Sequence, residues 1–202
     1  MSSHSGVRLR KKLDRDRELA TLIEQFAELA DSLVTVTSCS TYRYNCAAWA
    51  AGMKNTKIAP AIQRNGRLIG GYSWPMSAVV PRYSIRAYEE VYETIGYRRC
   101  DDGAYVIGIE KVALYGHDAS ECCHVARQTI SGTWTSKMGD CADIEHATTE
   151  DVEGAKFGRV LSFMSRDYGL PRRIEPPRLK LPSGVERSTL EPQWSGGDVG
   201  VG

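Results

Sequence analysis

The sequence predicts an α+β domain in which N-terminal helices pack against an antiparallel sheet of about four to six strands. Three observations carry that expectation. Residues 13–33 space Leu19, Leu22, Ile23, Phe26, Leu29, Ala30 and Leu33 by threes and fours, the period of an amphipathic helix. Past residue 110 the chain turns to strand-like runs, and Ser131-Gly132 sits between two of them as a hairpin turn would. Forty-two per cent hydrophobic and 25% charged residues in a chain of 202 are enough for one packed core.

The elements follow in order. Residues 1–12 are polar and basic and predict a disordered terminus, so the domain is expected to span residues 13–170. A β-branched stretch, residues 35–41, leads to Cys46-Ala-Ala-Trp-Ala-Ala-Gly52, which reads as a short helix. Asn45 is a natural N-cap, since its side-chain oxygen can accept a free amide proton, and Gly52 suits a left-handed end. Residues 53–83 hold Gly70-Gly71 and Trp74-Pro75 and read as a long irregular connection draped over a site.

Ser84 caps a second predicted helix, with Ile85, Tyr88, Val91, Tyr92 and Ile95 on one face and Gly96 closing it. Residues 112–115, 123–129 and 133–137 read as strands, residues 148–154 as a helical turn and residues 159–164 as a last ordered element. Residues 171–202 carry five of the eight prolines and a Gly-rich end, a composition that predicts disorder.

A formal net charge of +1 gives no global field for nucleic acid or an anionic membrane, so neither is expected as a partner. No run approaches the roughly 18 apolar residues of a membrane span, and the basic first residues lack the apolar core of a signal peptide. The expectation is a cytoplasmic protein whose six cysteines stay reduced.

The residues that carry chemistry are Cys46 and His124. A thiol is a weak nucleophile near neutral pH, with an unperturbed pKa of about 8.5. The first turn of a helix favours its thiolate, so Cys46 is expected to ionise well below that value, with a histidine beside it to move the proton. Ser136 lies one hairpin beyond His124 at an even offset, which places both side chains on one sheet face and lets the serine hold the ring. Asp140 and Asp143 are rival orienters. Tyr44, Asn45, Trp49 and Trp74 are candidates for lining a substrate cleft, although tryptophans are as readily core. Arg127 and Lys137 are expected to face solvent or bind the loop, with gripping an acidic substrate group as the lesser alternative.

These residues fall in runs that resemble a known family. Tyr44-Asn-Cys-Ala-Ala-Trp-Ala-Ala-Gly52, Tyr72-Ser-Trp-Pro75, Glu110-Lys-Val-Ala-Leu-Tyr115, His124-Val-Ala-Arg-Gln128, Trp134-Thr-Ser-Lys-Met-Gly139 and Asp143-Ile-Glu-His146 look like a family of uncharacterised bacterial domains over residues 44–163. That family in turn resembles the papain-like superfamily, closest in layout to NlpC-type cell-wall peptidases and related amidases. The resemblance implies a papain-like fold, a nucleophile at Cys46, a base at His124 and an orienter at Ser136. It also implies a peptide or amide substrate and calls for no cofactor. Two positions depart from the NlpC pattern: Asn45 stands where aspartate usually precedes the cysteine, and Ser136 where the third residue is more often His, Asn or Gln.

Two other readings stay open. The fold can be an inactive papain-like binding domain, because a buried cysteine is as readily packing as chemistry. Cys122, Cys123, His124, Cys141 and His146 also lie close enough in sequence to suggest a zinc module, although adjacent cysteines on a strand point to opposite faces.

Overall fold

The computed structural model describes residues 3–60, 70–75 and 82–169. In chain order these form α1 (Ser3–Gln25), a 3-10 turn (Ala27–Asp31), β1 (Val34–Val36), α2 (Cys46–Ala50), β2 (Lys57–Ile58) and β3 (Tyr72–Ser73). Then come α3 (Ile85–Glu93), β4 (Arg98–Cys100), β5 (Ile109–Gly116), β6 (His124–Gln128), β7 (Trp134–Lys137), β8 (Asp143–His146), a second 3-10 turn (Glu150–Val152) and β9 (Arg159–Asp167). The tail at 171–202 lies outside the described residues, as do 61–69 and 76–81 of the long connection.

The α+β class stands, with a larger sheet than the sequence predicts. Seven strands run in the order β1-β8-β7-β6-β5-β9-β4, every neighbouring pair antiparallel. β1 and β4 are three-residue edge strands, too short to show an alternation in sequence. β8 escapes notice because Asp143, Glu145 and His146 make it read as a polar loop. β2 and β3 form a separate parallel pair. α1 also begins earlier than expected, at Ser3, in a segment read as disordered; its Leu, Arg and Lys residues are good helix formers with no proline to stop them.

The sheet is covered on both faces, and side-chain alternation sorts its residues between two cores. Val112, Leu114 and Val125 join α2 and α3 in one cluster, with Trp49, Tyr88 and Tyr92. Ala113, Tyr115, Ala126 and Ile144 join the end of α1 in the other, with Leu22, Phe26 and Phe157. α1 and α2 therefore pack on opposite faces, and this division governs the geometry of the candidate site.

Candidate active site

Cys46 opens α2, and the residues around it explain why a helix starts there. The Asn45 side-chain oxygen accepts from the Ala48 amide at 3.1 Å and from the Ile58 amide at 3.0 Å, and its amide nitrogen donates to the Ile58 carbonyl at 2.8 Å. An aspartate at this position would keep the cap and lose the donor, a physical reason for asparagine at 45. Ala47, Ala48 and Ala50 are fully buried, letting the helix lie close on β6, and the Tyr92 hydroxyl donates to the Ala47 carbonyl at 2.7 Å. Gly52 takes a left-handed φ of 79° as the chain leaves the helix.

His124 is the first residue of β6 and is 1% exposed. Its ring stacks on Phe157 with centroids 4.3 Å apart, and Tyr115 lies tilted at 5.4 Å. Its Nε2 is 2.9 Å from Ser136 Oγ, the contact the even hairpin offset predicts. Ala126 pairs with Ser136 in the ladder, so the serine stands diagonally from His124 on one face. A further partner went unread in the sequence: Ser136 Oγ is also 2.9 Å from His146 Nε2, and His146 Nδ1 is 2.6 Å from the Thr148 carbonyl. Ser136 pairs with Ile144, so His146 is again a diagonal neighbour. The sequence gives little signal for it, because His146 reaches the serine through the register of β8, which reads as a polar loop.

Cys46, His124, Asn45, Tyr88, Cys122 and Glu121 are among the residues lining one cavity of about 430 Å³ at the start of β6. Ala59 and Tyr83, from the described parts of the long connection, line it too. No hydrogen bond joins the Cys46 sulfur to the His124 ring among the described residues. Alternation explains the gap: α2 packs on the Val125 face, while the ring lies in the opposite cluster. His124 lines the same cavity as Cys46 from the very end of its strand.

The electrostatics correct the expectation of a lowered thiol pKa. Burial raises the Cys46 thiol, and the Val125, Ala47 and Cys46 amides and the Lys137 charge oppose that rise only in part. Burial likewise pushes His124 down to about 3, helped by the neighbouring His146, which burial also lowers. At neutral pH the site holds a thiol and a neutral imidazole, not an ion pair.

The other predicted residues separate clearly. Asp140 is exposed and pairs with Lys57 at 3.2 Å, so it holds no imidazole. Asp143 accepts from the Tyr44 hydroxyl at 2.8 Å and pairs with Lys137 in the ladder, on the face away from His124. Of the cleft candidates, Asn45 lines the cavity. Tyr44 and Trp49 are buried core, the indole of Trp49 donating to Thr135 Oγ1 at 3.3 Å, and Trp74 packs edge-on to Tyr88. Lys137, expected in solvent, is fully buried and donates to the Cys141 carbonyl. Arg127 lies over the Trp49 ring at 5.0 Å.

All six cysteines are free thiols. Among the described residues no three His, Cys, Asp or Glu side chains are grouped to hold a metal, and His124 and His146 converge on Ser136 instead. No helix among those residues is long and apolar enough to cross a membrane.

A family model described as a domain of unknown function, DUF7689, matches residues 35–165. The chain belongs to this family. The match spans α2, the cavity and all but the first and the last two residues of the sheet, so Cys46 and His124 lie within the DUF7689 domain. No curated protein and no solved structure matches the chain.

Proposed function

We propose that this DUF7689 domain is a thiol-dependent hydrolase or acyl-transferase acting on an amide or related acyl bond, with the papain-like roles that the sequence resemblance implies. The observation that carries the reading is that Cys46, at a helix start, and His124, held by Ser136, line one cavity. The Cys46 sulfur attacks the carbonyl carbon as the His124 ring takes the thiol proton, which suits a pair that rests neutral. The imidazolium then returns that proton to the leaving amine as the C–N bond breaks, leaving a thioester on Cys46. Water, or an amine in a transferase, resolves the thioester with His124 again as base.

A second reading, an inactive fold that binds a ligand in the same cavity, draws on one observation. The His124 ring is stacked on Phe157 in the cluster opposite α2, with no bond to the thiol.

The two readings part on a thiol-directed acylating probe mapped by mass spectrometry. As an enzyme, the protein takes the acyl group at Cys46 in preference to exposed Cys39, and His124→Ala slows the reaction by about 10²–10⁴-fold, the usual worth of a general base. Iodoacetamide, which reports the resting thiolate, labels Cys39 faster than Cys46. Acylation that follows exposure alone and ignores His124→Ala sinks the enzyme reading in favour of the binding domain.

A further inference from the structure

We propose that His146 is a positioning residue of this site: through Ser136 it holds His124 with the proton on Nε2 and the lone pair on Nδ1. The catalytic meaning of this arrangement rests on the thiol reading above, but the arrangement itself does not.

The argument is a count of protons along one buried chain. Its far end is the Thr148 carbonyl, which can only accept, so the 2.6 Å contact requires a proton on His146 Nδ1. A neutral imidazole carries one N–H, so His146 Nε2 is an acceptor. Ser136 has a single hydroxyl proton, and His146 Nε2 at 2.9 Å takes it. The serine oxygen is then left to accept at its other contact, and the 2.9 Å approach of His124 requires a proton on Nε2 of that ring. His124 Nδ1 is therefore bare, the form a general base needs; the opposite tautomer would carry an N–H there and could take no proton.

Three features keep the direction from reversing. His124, Ser136 and His146 are at most 2% exposed, so bulk water offers no substitute partners. Both rings are disfavoured in the charged form, so His146 holds a single proton, and the Thr148 carbonyl keeps it on Nδ1. The turn presenting the carbonyl is itself fixed, with the Thr148 amide donating to Asp151 at 2.8 Å and the Tyr115 hydroxyl donating to the Thr149 carbonyl at 3.0 Å.

The test is long-range proton–nitrogen correlation of the imidazoles, which reads each tautomer directly; the chain has only four histidines. In the wild type, His124 should carry its proton on Nε2 and His146 on Nδ1. His146→Gln should preserve the His124 pattern, because its amide oxygen accepts from Ser136 while its NH₂ donates to the Thr148 carbonyl. His146→Leu removes the acceptor and frees the serine to donate to His124, so the single Nε2–H pattern should be lost to a mixture or to Nδ1–H. A wild-type His124 protonated on Nδ1 overturns the inference, and so does an unchanged tautomer in a folded His146→Leu protein. Should the leucine variant not fold, the wild type and His146→Gln decide. Failure of the thiol reading looks different: tautomers as stated, with Cys46 acylation indifferent to His124→Ala.

Discussion

The two faces of the sheet bury polar side chains by different means, and a single four-residue strand supplies both. From β7, Thr135 and Lys137 point to the α2 face, where the indole of Trp49 donates to the threonine and the lysine lies near the Asp143 carboxylate and the Tyr44 ring. Ser136, between them, points the other way into the chain of two imidazoles. On the α2 face burial lowers the Lys137 pKa and the Asp143 charge works against that shift, while the lysine nitrogen donates to the Cys141 carbonyl. On the opposite face burial leaves the histidines neutral, and hydrogen bonds of fixed direction satisfy them. Desolvation disfavours charge on both; a nearby carboxylate offsets it in part on one side, and neutrality answers it on the other.

Acid should break the contrast most strongly. Unfolded histidines take up a proton near pH 6.5, whereas folded His124 resists until about pH 3 and His146 is lowered as well. Between those values the unfolded chain binds more protons, so stability present above pH 6.5 is lost as pH falls. The loss is at most about 1.4 kcal/mol per pH unit for each histidine. Urea unfolding from pH 7 to pH 4 measures the slope, and His124→Gln should flatten it. An unaltered slope would mean that the imidazoles are not the buried neutral groups described.

The opposite face should fail when its cation is removed. Lys137→Met keeps much of the shape but removes the charge near Asp143 and the donor to the buried Cys141 carbonyl, and should cost about 2–3 kcal/mol in denaturant unfolding. Ser136→Ala, one residue away, removes no charge and should cost about 1–2 kcal/mol through the imidazole nitrogens it leaves unpaired. Equal costs for the two variants would erase the distinction between the faces.

The smallest effect belongs to the rim that the two faces share. Asn45→Asp keeps the oxygen that caps α2 but sets a carboxylate against the Ile58 carbonyl in place of a donor, and should cost about 1 kcal/mol. It should also slow alkylation of Cys46, since a negative charge beside the sulfur disfavours thiolate. A melting curve and an alkylation rate that both match the wild type would show that the amide donor is dispensable.

What the sequence shows well is local. Asn45 and Ser84 cap their helices by bonding amides three residues on, and Gly52 and Gly96 end those segments with positive φ. The hairpin at Ser131-Gly132 forms as read, and with it the His124–Ser136 contact, because a tight turn fixes register and register fixes the face. β1, β4 and β8 are not legible, since three or four residues at or near a sheet edge hold too little pattern and owe their order to the strand beside them. Asp143 against Ser136 as orienter is likewise undecidable from composition, because it turns on the register of β8.

The sequence by itself determined the α+β class, the start of α2 at Cys46, and the pairing of His124 with Ser136. All three are set by hydrogen bonds within a few residues or across one tight turn. Tertiary structure alone decided that α2 lies on the face away from the His124 ring, that Lys137 is interior, and that Cys46 and His124 rest neutral. Those outcomes depend on what covers each face of the sheet, and the resulting burial, a sum over residues distant in sequence, sets the charge a side chain can keep.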